Sequence, residues 1–313
     1  MPQPAIVIKD LVKVFHEHAA SPIRALDGLS LNIDQGEIFG LLGKNGAGKT
    51  TLLRVLTTLI RPTSGTVSVC GIDVVQMPNE VRKNICVVLQ ESAVELYLSV
   101  VDNLFTYGRF QGLQRAAMVT TIGPLMELFG LSEYSDRKVI DLSGGLRRRV
   151  QVAKVFMVDK PVVFLDEPTT GMDPISKRAT LDAIREQARR GRTVVLTTHV
   201  LHEAEELCER IAILDRGKCI ASGDIQTIKR LASPGFEITI TFEQLTQPVL
   251  DQLHSLPLLK LSSKAQTVEM SVRGNDFSVL ESLARICVSS KVLNLEVTGA
   301  SLEDVFLELL GAP

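Results

Sequence analysis

Residues 43–50 read Gly43-Lys44-Asn45-Gly46-Ala47-Gly48-Lys49-Thr50, a spacing suited to gripping phosphate. Glycines let successive backbone amides turn inward onto anionic oxygens, and the N-terminus of a following helix adds partial positive charge. Lys49 can reach β- and γ-phosphates, and the Thr50 hydroxyl can bind Mg²⁺. A second pattern is Val162-Val163-Phe164-Leu165-Asp166-Glu167. Two carboxylates at the end of a buried apolar strand are costly unless a cation or a proton acceptor role needs them. Asp166 would hold Mg²⁺, directly or through water, and Glu167 would orient and polarise an attacking water. By itself that pair is also what a strand end beside a helix cap would show. A third pattern is Leu142-Ser143-Gly144-Gly145-Leu146 ahead of a helix beginning near Arg147. Ser143 can cap that helix, and Gly144 and Gly145 leave its amides open to an anion. One γ-phosphate hardly needs two anion-binding helix starts from one chain. A two-chain sandwich does need them.

The elements around these motifs follow from hydrophobic period. Strands are expected at 6–15, 29–33, 66–72, 85–89, 161–165, 193–197 and 210–214. Residues 37–43 (EIFGLLG) lead into the glycine loop, and 50–59 has helical spacing. Strand, glycine loop and helix come in the order that a phosphate site requires. Residues 100–160 read as mainly helical, and helix 175–190 between two very apolar strands makes a βαβ unit. The composition shifts near 225–235, where Ser233-Pro234-Gly235 reads as a linker. Beyond it come a strand at 236–242, a helix near 248–256, strands at 258–261 and 267–273, a helix at 276–289 and a strand at 292–298. The helix at 276–289 is expected to place Phe277, Leu280, Leu283, Ala284 and Cys287 on one face. The order β-α-β-β-α-β resembles a split-βαβ domain. A last helix, 302–310, has Ser301 and Asp304 at capping-box spacing. The expected fold class is therefore α/β: a P-loop NTPase core with a mixed sheet and a helical subdomain, plus a small C-terminal α/β domain. The expected domains are 1–228, with the helical subdomain at about 91–160, a linker at 229–235, and 236–313.

The chain has 313 residues, 45% of them hydrophobic, a formal net charge of −2 and no tryptophan. Nucleic-acid binders draw affinity from a basic excess, so no nucleic-acid partner is expected. The five cysteines, Cys70, Cys86, Cys208, Cys219 and Cys287, show no paired spacing, which reads as free thiols in a reducing compartment. No stretch approaches the ~20 apolar residues needed to span a bilayer. The N-terminal residues lack a basic region leading into an apolar one, so no signal peptide is expected. Any action on a membrane would then require a partner.

With these motifs in order, residues 5–225 resemble the nucleotide-binding subunit of ABC transporters. The Leu-Ser-Gly-Gly segment lies some twenty residues before the Asp166-Glu167 pair, as in that family. Gln90 in VVLQES matches the Q-loop, Gly171-Met172-Asp173 the loop after the catalytic glutamate, and His199 after TVVLTT the switch histidine. The resemblance implies ATP and Mg²⁺ as cofactors. It implies that Phe15 stacks on adenine, and that Gly43, Asn45, Gly46, Ala47, Gly48, Lys49, Thr50 and Thr51 surround the phosphates. Thr50, Gln90 and Asp166 would serve the metal, and Glu167, His199 and Gln90 the chemistry. Ser143, Gly144 and Gly145 would contact the γ-phosphate across a dimer whose interface Asp173 organises. The implied partners are a second copy, as a homodimer, and integral membrane permease subunits, with the chain peripheral on the cytoplasmic face of the membrane. The ending Ser301-Leu302-Glu303-Asp304-Val305-Phe306 is similar to the exporter branch that handles drugs, antibiotics, lipids or polysaccharides. Two departures stand out. Leu146 replaces the usual Gln of the signature, and Phe15 the commoner Tyr.

Alternatives remain open at this level. A non-transport ABC ATPase acting on nucleic acid or the ribosome is one, and a regulatory subunit that binds ATP without turnover is another. His199 and His202, three residues apart, could form a metal pair or simply share a helical turn, and His16 and His18 read as exposed loop residues. The run Arg147-Arg148-Arg149 reads either as a solvated helix face or as a positive field near a partner's nucleotide. Segment 91–104 combines core packing with a groove for a membrane subunit.

Overall fold

The computed structural model describes residues 4–16, 21–89, 94–231, 235–273, 277–299 and 301–311. The chain divides into two compact units, Met1–Asp224 and Ile225–Pro313. The first unit runs, in order, β1 (Pro4–Phe15), β2 (Ile23–Asp34), β3 (Ile38–Leu42), α1 (Lys49–Leu56), β4 (Ser64–Val69), β5 (Ile72–Asp73), α2 (Pro78–Lys83) and β6 (Ile85–Val88). It continues with α3 (Val100–Phe110), α4 (Arg115–Leu128), α5 (Gly144–Val155), β7 (Val162–Asp166), α6 (Pro174–Arg189), β8 (Thr193–Thr198), α7 (Leu201–Leu207), β9 (Arg210–Asp215) and β10 (Lys218–Asp224).

Two sheets enclose its core. One is antiparallel, in the order β2-β1-β4-β5, and the other is mixed, in the order β10-β9-β3-β8-β7-β6. Strands β9, β3, β8, β7 and β6 are parallel, and β10 joins the edge antiparallel. The sequence accounts for the difference. β2 buries Leu29, Leu31 and Ile33 while Ser30 and Asn32 face out, the period-two pattern of a half-covered strand. Strands β3, β7 and β8 are buried at every residue, as parallel strands covered on both faces must be. Helix α1 lies between the sheets, and its Leu52, Leu53, Val55 and Leu56 share one core with Ile6, Leu29, Phe39, Phe164 and Val195.

The structure departs from the expected elements at several points. Residues 66–72 are not one strand: Cys70 takes φ +51°, which turns the chain into the β4-β5 hairpin. Helix α1 stops at Leu56, where the Thr57 hydroxyl bonds back to the Leu53 carbonyl at 2.7 Å and Thr58 takes φ +63°. Short helices α2 and α7 and strand β10 carry too few periodic residues to announce themselves. In the helical region, Ser99 caps α3, accepting from the Asp102 amide at 3.1 Å. Val100 and Leu104 are core residues while Tyr97 is 77% exposed, so the described part of segment 91–104 both packs and presents apolar surface.

The second unit comprises α8 (Ile225–Lys229), β11 (Gly235–Phe242), α9 (Gln247–His254), β12 (Leu258–Lys264), β13 (Thr267–Arg273), α10 (Phe277–Ser289), β14 (Val292–Gly299) and α11 (Leu302–Leu310). Its sheet is antiparallel throughout, in the order β12-β13-β11-β14, the split-βαβ arrangement. The central Ser233 and Pro234 of the expected linker lie outside the described residues. Helix α10 buries Val279, Leu283 and Ile286, with Leu280 and Cys287 partly buried. The expected face was turned by part of a step: Ala284 is exposed, and the side chain of Phe277 lies outside the described residues. Ser301 and Asp304 form the reciprocal capping box on α11.

Because Leu283 belongs to a core separate from that of the first unit, Leu283→Ala should cost the second unit about 2–5 kcal/mol. Hydrogen exchange checks this: β11 and β13 amides should lose protection while β3 and β7 amides keep theirs.

Candidate active site

The loop after β3 reaches α1 through Gly48 at φ +106°, where a Cβ would stand 2.7 Å from the Ala25 carbonyl oxygen. Only glycine allows that conformation together with that close approach. Lys49 then opens the helix with 7% of its surface exposed. Its Nζ donates to the carbonyls of Gly43 at 2.7 Å and Lys44 at 3.2 Å. Burial pulls its amine below the ordinary lysine value, and the nearby Glu167 and Asp166 carboxylates oppose that shift. Asn45, Gly46, Ala47, Gly48, Lys49, Thr50, Thr51, Ala25 and Glu167 line a cavity of about 380 Å³. Phe15 is not among those lining residues. It ends β1 opposite Ile23, with the Lys13 ammonium 5.1 Å from its ring centroid.

The end of β7 meets this cavity. Asp166 accepts from the Thr50 hydroxyl at 3.3 Å and from the Thr197 hydroxyl at 2.5 Å. The Glu167 amide donates to both the carbonyl and the hydroxyl oxygen of Thr197, at 3.1 and 3.0 Å. Glu167 itself takes φ +49°, a left-handed conformation that a non-glycine residue keeps only where its surroundings enforce it. Its carboxylate is held at both oxygens, by His199 Nδ1 at 3.0 Å and by the Thr170 hydroxyl at 3.0 Å. Parallel pairing of Asp166 with Thr197 places the threonine there. Sequence reasoning missed Thr197 and Thr170. The penultimate hydroxyl of TVVLTT, two residues before His199, was the available signal for the first.

The other stations lie apart from that cavity. Ser143 caps α5, accepting from the Leu146 amide at 3.3 Å, and both Ser143 and Gly144 are exposed. Gly144 lines a neighbouring cavity of about 320 Å³ with Arg147, Arg148, Glu167 and Thr170 among others. Asp173 caps α6, accepting from the Ser176 amide at 2.9 Å, and hydrogen bonding from Ser176 holds its carboxyl below the ordinary range. Gln90 and His18 lie outside the described residues. His202 is exposed, and the described residues contain no group of three His, Cys, Asp or Glu able to hold a metal ion.

The arginine run is not a solvated face. Arg147 donates to the carbonyls of Leu142 at 3.0 Å and Ile140 at 2.6 Å. Arg149, 7% exposed, donates to the carbonyls of Phe129 and Gly130, each at 3.3 Å. Arg148 is 8% exposed. A charge run tells nothing of which carbonyls a helix will meet, so the sequence could not separate these fates. Glu203 was missed for the same reason. Buried on α7, it accepts from the Thr169 hydroxyl at 2.5 Å and pairs with Lys177 at 2.6 Å.

Comparison with known proteins decides the family. The ABC transporter family model matches residues 26–170. The chain is 36% identical to the daunorubicin/doxorubicin resistance ATP-binding protein DrrA of Streptomyces peucetius, over 100% of this chain and 94% of that protein. This chain belongs to the ABC transporter ATP-binding subunits. It is also 34% identical to the Nod factor export ATP-binding protein I of Cupriavidus metallidurans, over 97% of this chain and 96% of that one. A solved ATP-binding subunit of an ABC transporter superposes with a TM-score of 0.65 at 27% identity, covering 72% of this chain and 92% of that one. A dimeric ATP-binding cassette bound to ADP and Pi, at 24% identity and a TM-score of 0.64 over 70% of this chain and 98% of that one, shares the fold. The chain is thus an ATPase subunit of a transporter, and among the described residues no helix is long and apolar enough to cross a membrane.

In an ABC subunit the lysine at the helix start has a definite test. Lys49→Ala should weaken ATP binding on the order of 100-fold, the loss of a charge-assisted contact worth about 3 kcal/mol. Titration with a fluorescent ATP analogue measures it, and retained affinity would remove Lys49 from the phosphate contacts.

Proposed function

We propose that two copies of this chain bind two ATP molecules head to tail and drive export through separate membrane-spanning subunits. The chain would sit on the cytoplasmic face of the membrane. Each nucleotide would lie between the Gly43–Thr51 loop of one copy and the Ser143-Gly144-Gly145 helix start of the other, with Asp173 at the interface. The support is geometric: Ser143 and Gly144 are exposed, and neither lines the Lys49 cavity. An exposed helix N-terminus suits an anion presented by another molecule. Phe15, at the end of β1, is assigned to the adenine from the sequence pattern alone.

Mg²⁺ fits the donor set, because the Thr50 hydroxyl and the Asp166 carboxylate, both hard oxygen donors, lie 3.3 Å apart beside the phosphate loop. Thr50, Asp166 and Gln90 would hold it, and when bound it neutralises charge on the β- and γ-phosphate oxygens. The residues of this chain do the rest. Lys49 binds the terminal phosphates. Glu167 takes hydrogen bonding from the attacking water and aims its lone pair at the γ-phosphorus. His199 holds the Glu167 carboxylate in place and contacts the γ-phosphate. As the water oxygen bonds to the γ-phosphorus, the P–O bond to the leaving group breaks, ADP takes that electron pair, and the water's protons leave with the inorganic phosphate. Such transfer depends mainly on positioning and charge stabilisation.

Gln90 would link this chemistry to the membrane subunits. The export direction rests on the relatives, whose names give daunorubicin/doxorubicin resistance and Nod factor export. The observation that carries the catalytic part is the Glu167 carboxylate, fixed at both oxygens on the wall of the lysine cavity.

Glu167→Gln should lower turnover by about 100- to 10,000-fold, the usual weight of a positioned acid–base group. It should still bind ATP and accumulate as a closed dimer on size exclusion. Normal turnover in that variant, or a chain that stays monomeric with ATP while Ser143→Ala turns over normally, would overturn the reading.

A further inference from the structure

Arg148 sits near the start of α5, about 7.5 Å along the helix from Ser143 at 1.5 Å per residue. Its side chain turns away from solvent into the end of β7. Nη2 donates to the Asp166 carbonyl and, at 3.1 Å, to the Glu167 carbonyl. Nη1 donates to the Leu89 carbonyl at 3.0 Å and to Gln151 Oε1 at 2.7 Å. The guanidinium thus binds the carbonyls on both sides of the Asp166–Glu167 link, and the last described backbone carbonyl before Gln90. Burial pulls it below the ordinary arginine value, opposed by the Asp166 and Glu167 carboxylates. A buried cation is a poor stabiliser in itself, and an apolar side chain of the same volume would serve packing as well.

Position explains it better. Glu167 holds a left-handed backbone, so something must fix both faces of its peptide link. Thr197 takes the amide side, and Arg148 takes the carbonyl side. The geometry points to Arg148 as a positioning residue that joins the two ATP sites of the dimer. The inference rests on the head-to-tail reading above. In that dimer one copy offers Glu167 to one nucleotide and the Ser143 helix start to the other. Arg148 ties these two within a single chain. When the helix start engages nucleotide in one site, the pull passes through the guanidinium to the backbone that aims Glu167 in the other. A lysine, with one ammonium on a flexible stem, keeps the charge but loses the planar fork that spans several carbonyls.

The test uses the full chain, with Arg148→Lys and Arg148→Met beside Glu167→Gln. ATP affinity, turnover and the Hill coefficient for ATP are measured together, with thermal melting as the folding control. Arg148→Lys should melt normally and bind ATP within about twofold of the parent, since Lys49 is untouched. Its turnover should fall about 100-fold, the scale of a small misplacement of a reacting group. Its Hill coefficient should drop to about 1 from a higher value in the parent. Arg148→Met should show the same split between affinity and turnover wherever it melts normally. Wild-type turnover and cooperativity in Arg148→Lys overturns the inference. So does a parallel loss of melting temperature, affinity and turnover, which marks a purely structural role, and so does a parent without cooperativity. An inactive Glu167→Gln beside a fully active Arg148→Lys sinks this inference alone, whereas an active Glu167→Gln sinks the reading it rests on.

Discussion

Two carboxylates at the end of a strand buried on both faces set the terms for everything around them. β7 delivers Asp166 and Glu167 into an interior that penalises unpaired charge, so every neighbour is recruited to satisfy them. Thr197 from β8 and Thr50 from α1 take the Asp166 oxygens. His199 and Thr170 take the Glu167 oxygens, and Arg148 from α5 takes the carbonyls behind them. The parallel order β3-β8-β7 is what makes this possible, since it brings the C-terminal ends of three strands to one edge. Ligands in open α/β sheets bind at that edge for the same reason.

The same constraint explains where the core needs small residues. Gly48 lets the phosphate loop press against the Ala25 carbonyl, which ties the antiparallel sheet to the start of α1. Gly145 lets the start of α5 approach the loop after Glu167: a Cβ there would lie 3.2 Å from Met172 Cα and 3.3 Å from the Gly171 carbonyl oxygen. Thr169 in that loop is bonded in turn to Glu203 on α7, the helix that follows His199. The P-loop, the acidic strand end, the loop at 168–173 and the switch histidine are therefore one connected polar layer.

The sequence revealed what is local and hid what is relational. The phosphate loop, the acidic pair and the two very apolar strands were legible because their spacing alone demands a conformation. The split-βαβ order of the second unit was legible because its two central strands, β11 and β13, alternate strictly. Arg148 was not, since a run of three arginines reads the same whether it meets water or carbonyls. Thr197 was hidden because its partner lies on a neighbouring strand 31 residues away. The buried face of α10 came out turned because Ala284 is apolar enough to join either side of the stripe, and only the sheet beneath decides. The β4-β5 break depended on one positive φ at Cys70, a residue type that seldom signals a turn.

The arginine on α5 shows how a helix can serve as both an anion site and a strut. At its tip Ser143 and Gly144 are exposed, and neither lines the lysine cavity of its own chain. Its next turn is locked inward by Arg148 and Arg149, each bonded to backbone carbonyls of other segments. A helix pinned so firmly one turn from its tip cannot adjust its N-terminus independently of the β7 end. Any ligand that draws on that N-terminus is therefore felt by the peptide link that shapes Glu167. Leu146 in place of glutamine fits this division of labour. It sits half-buried between the exposed tip and the locked turn, where its side chain packs, while the capping bond to Ser143 needs only its backbone amide.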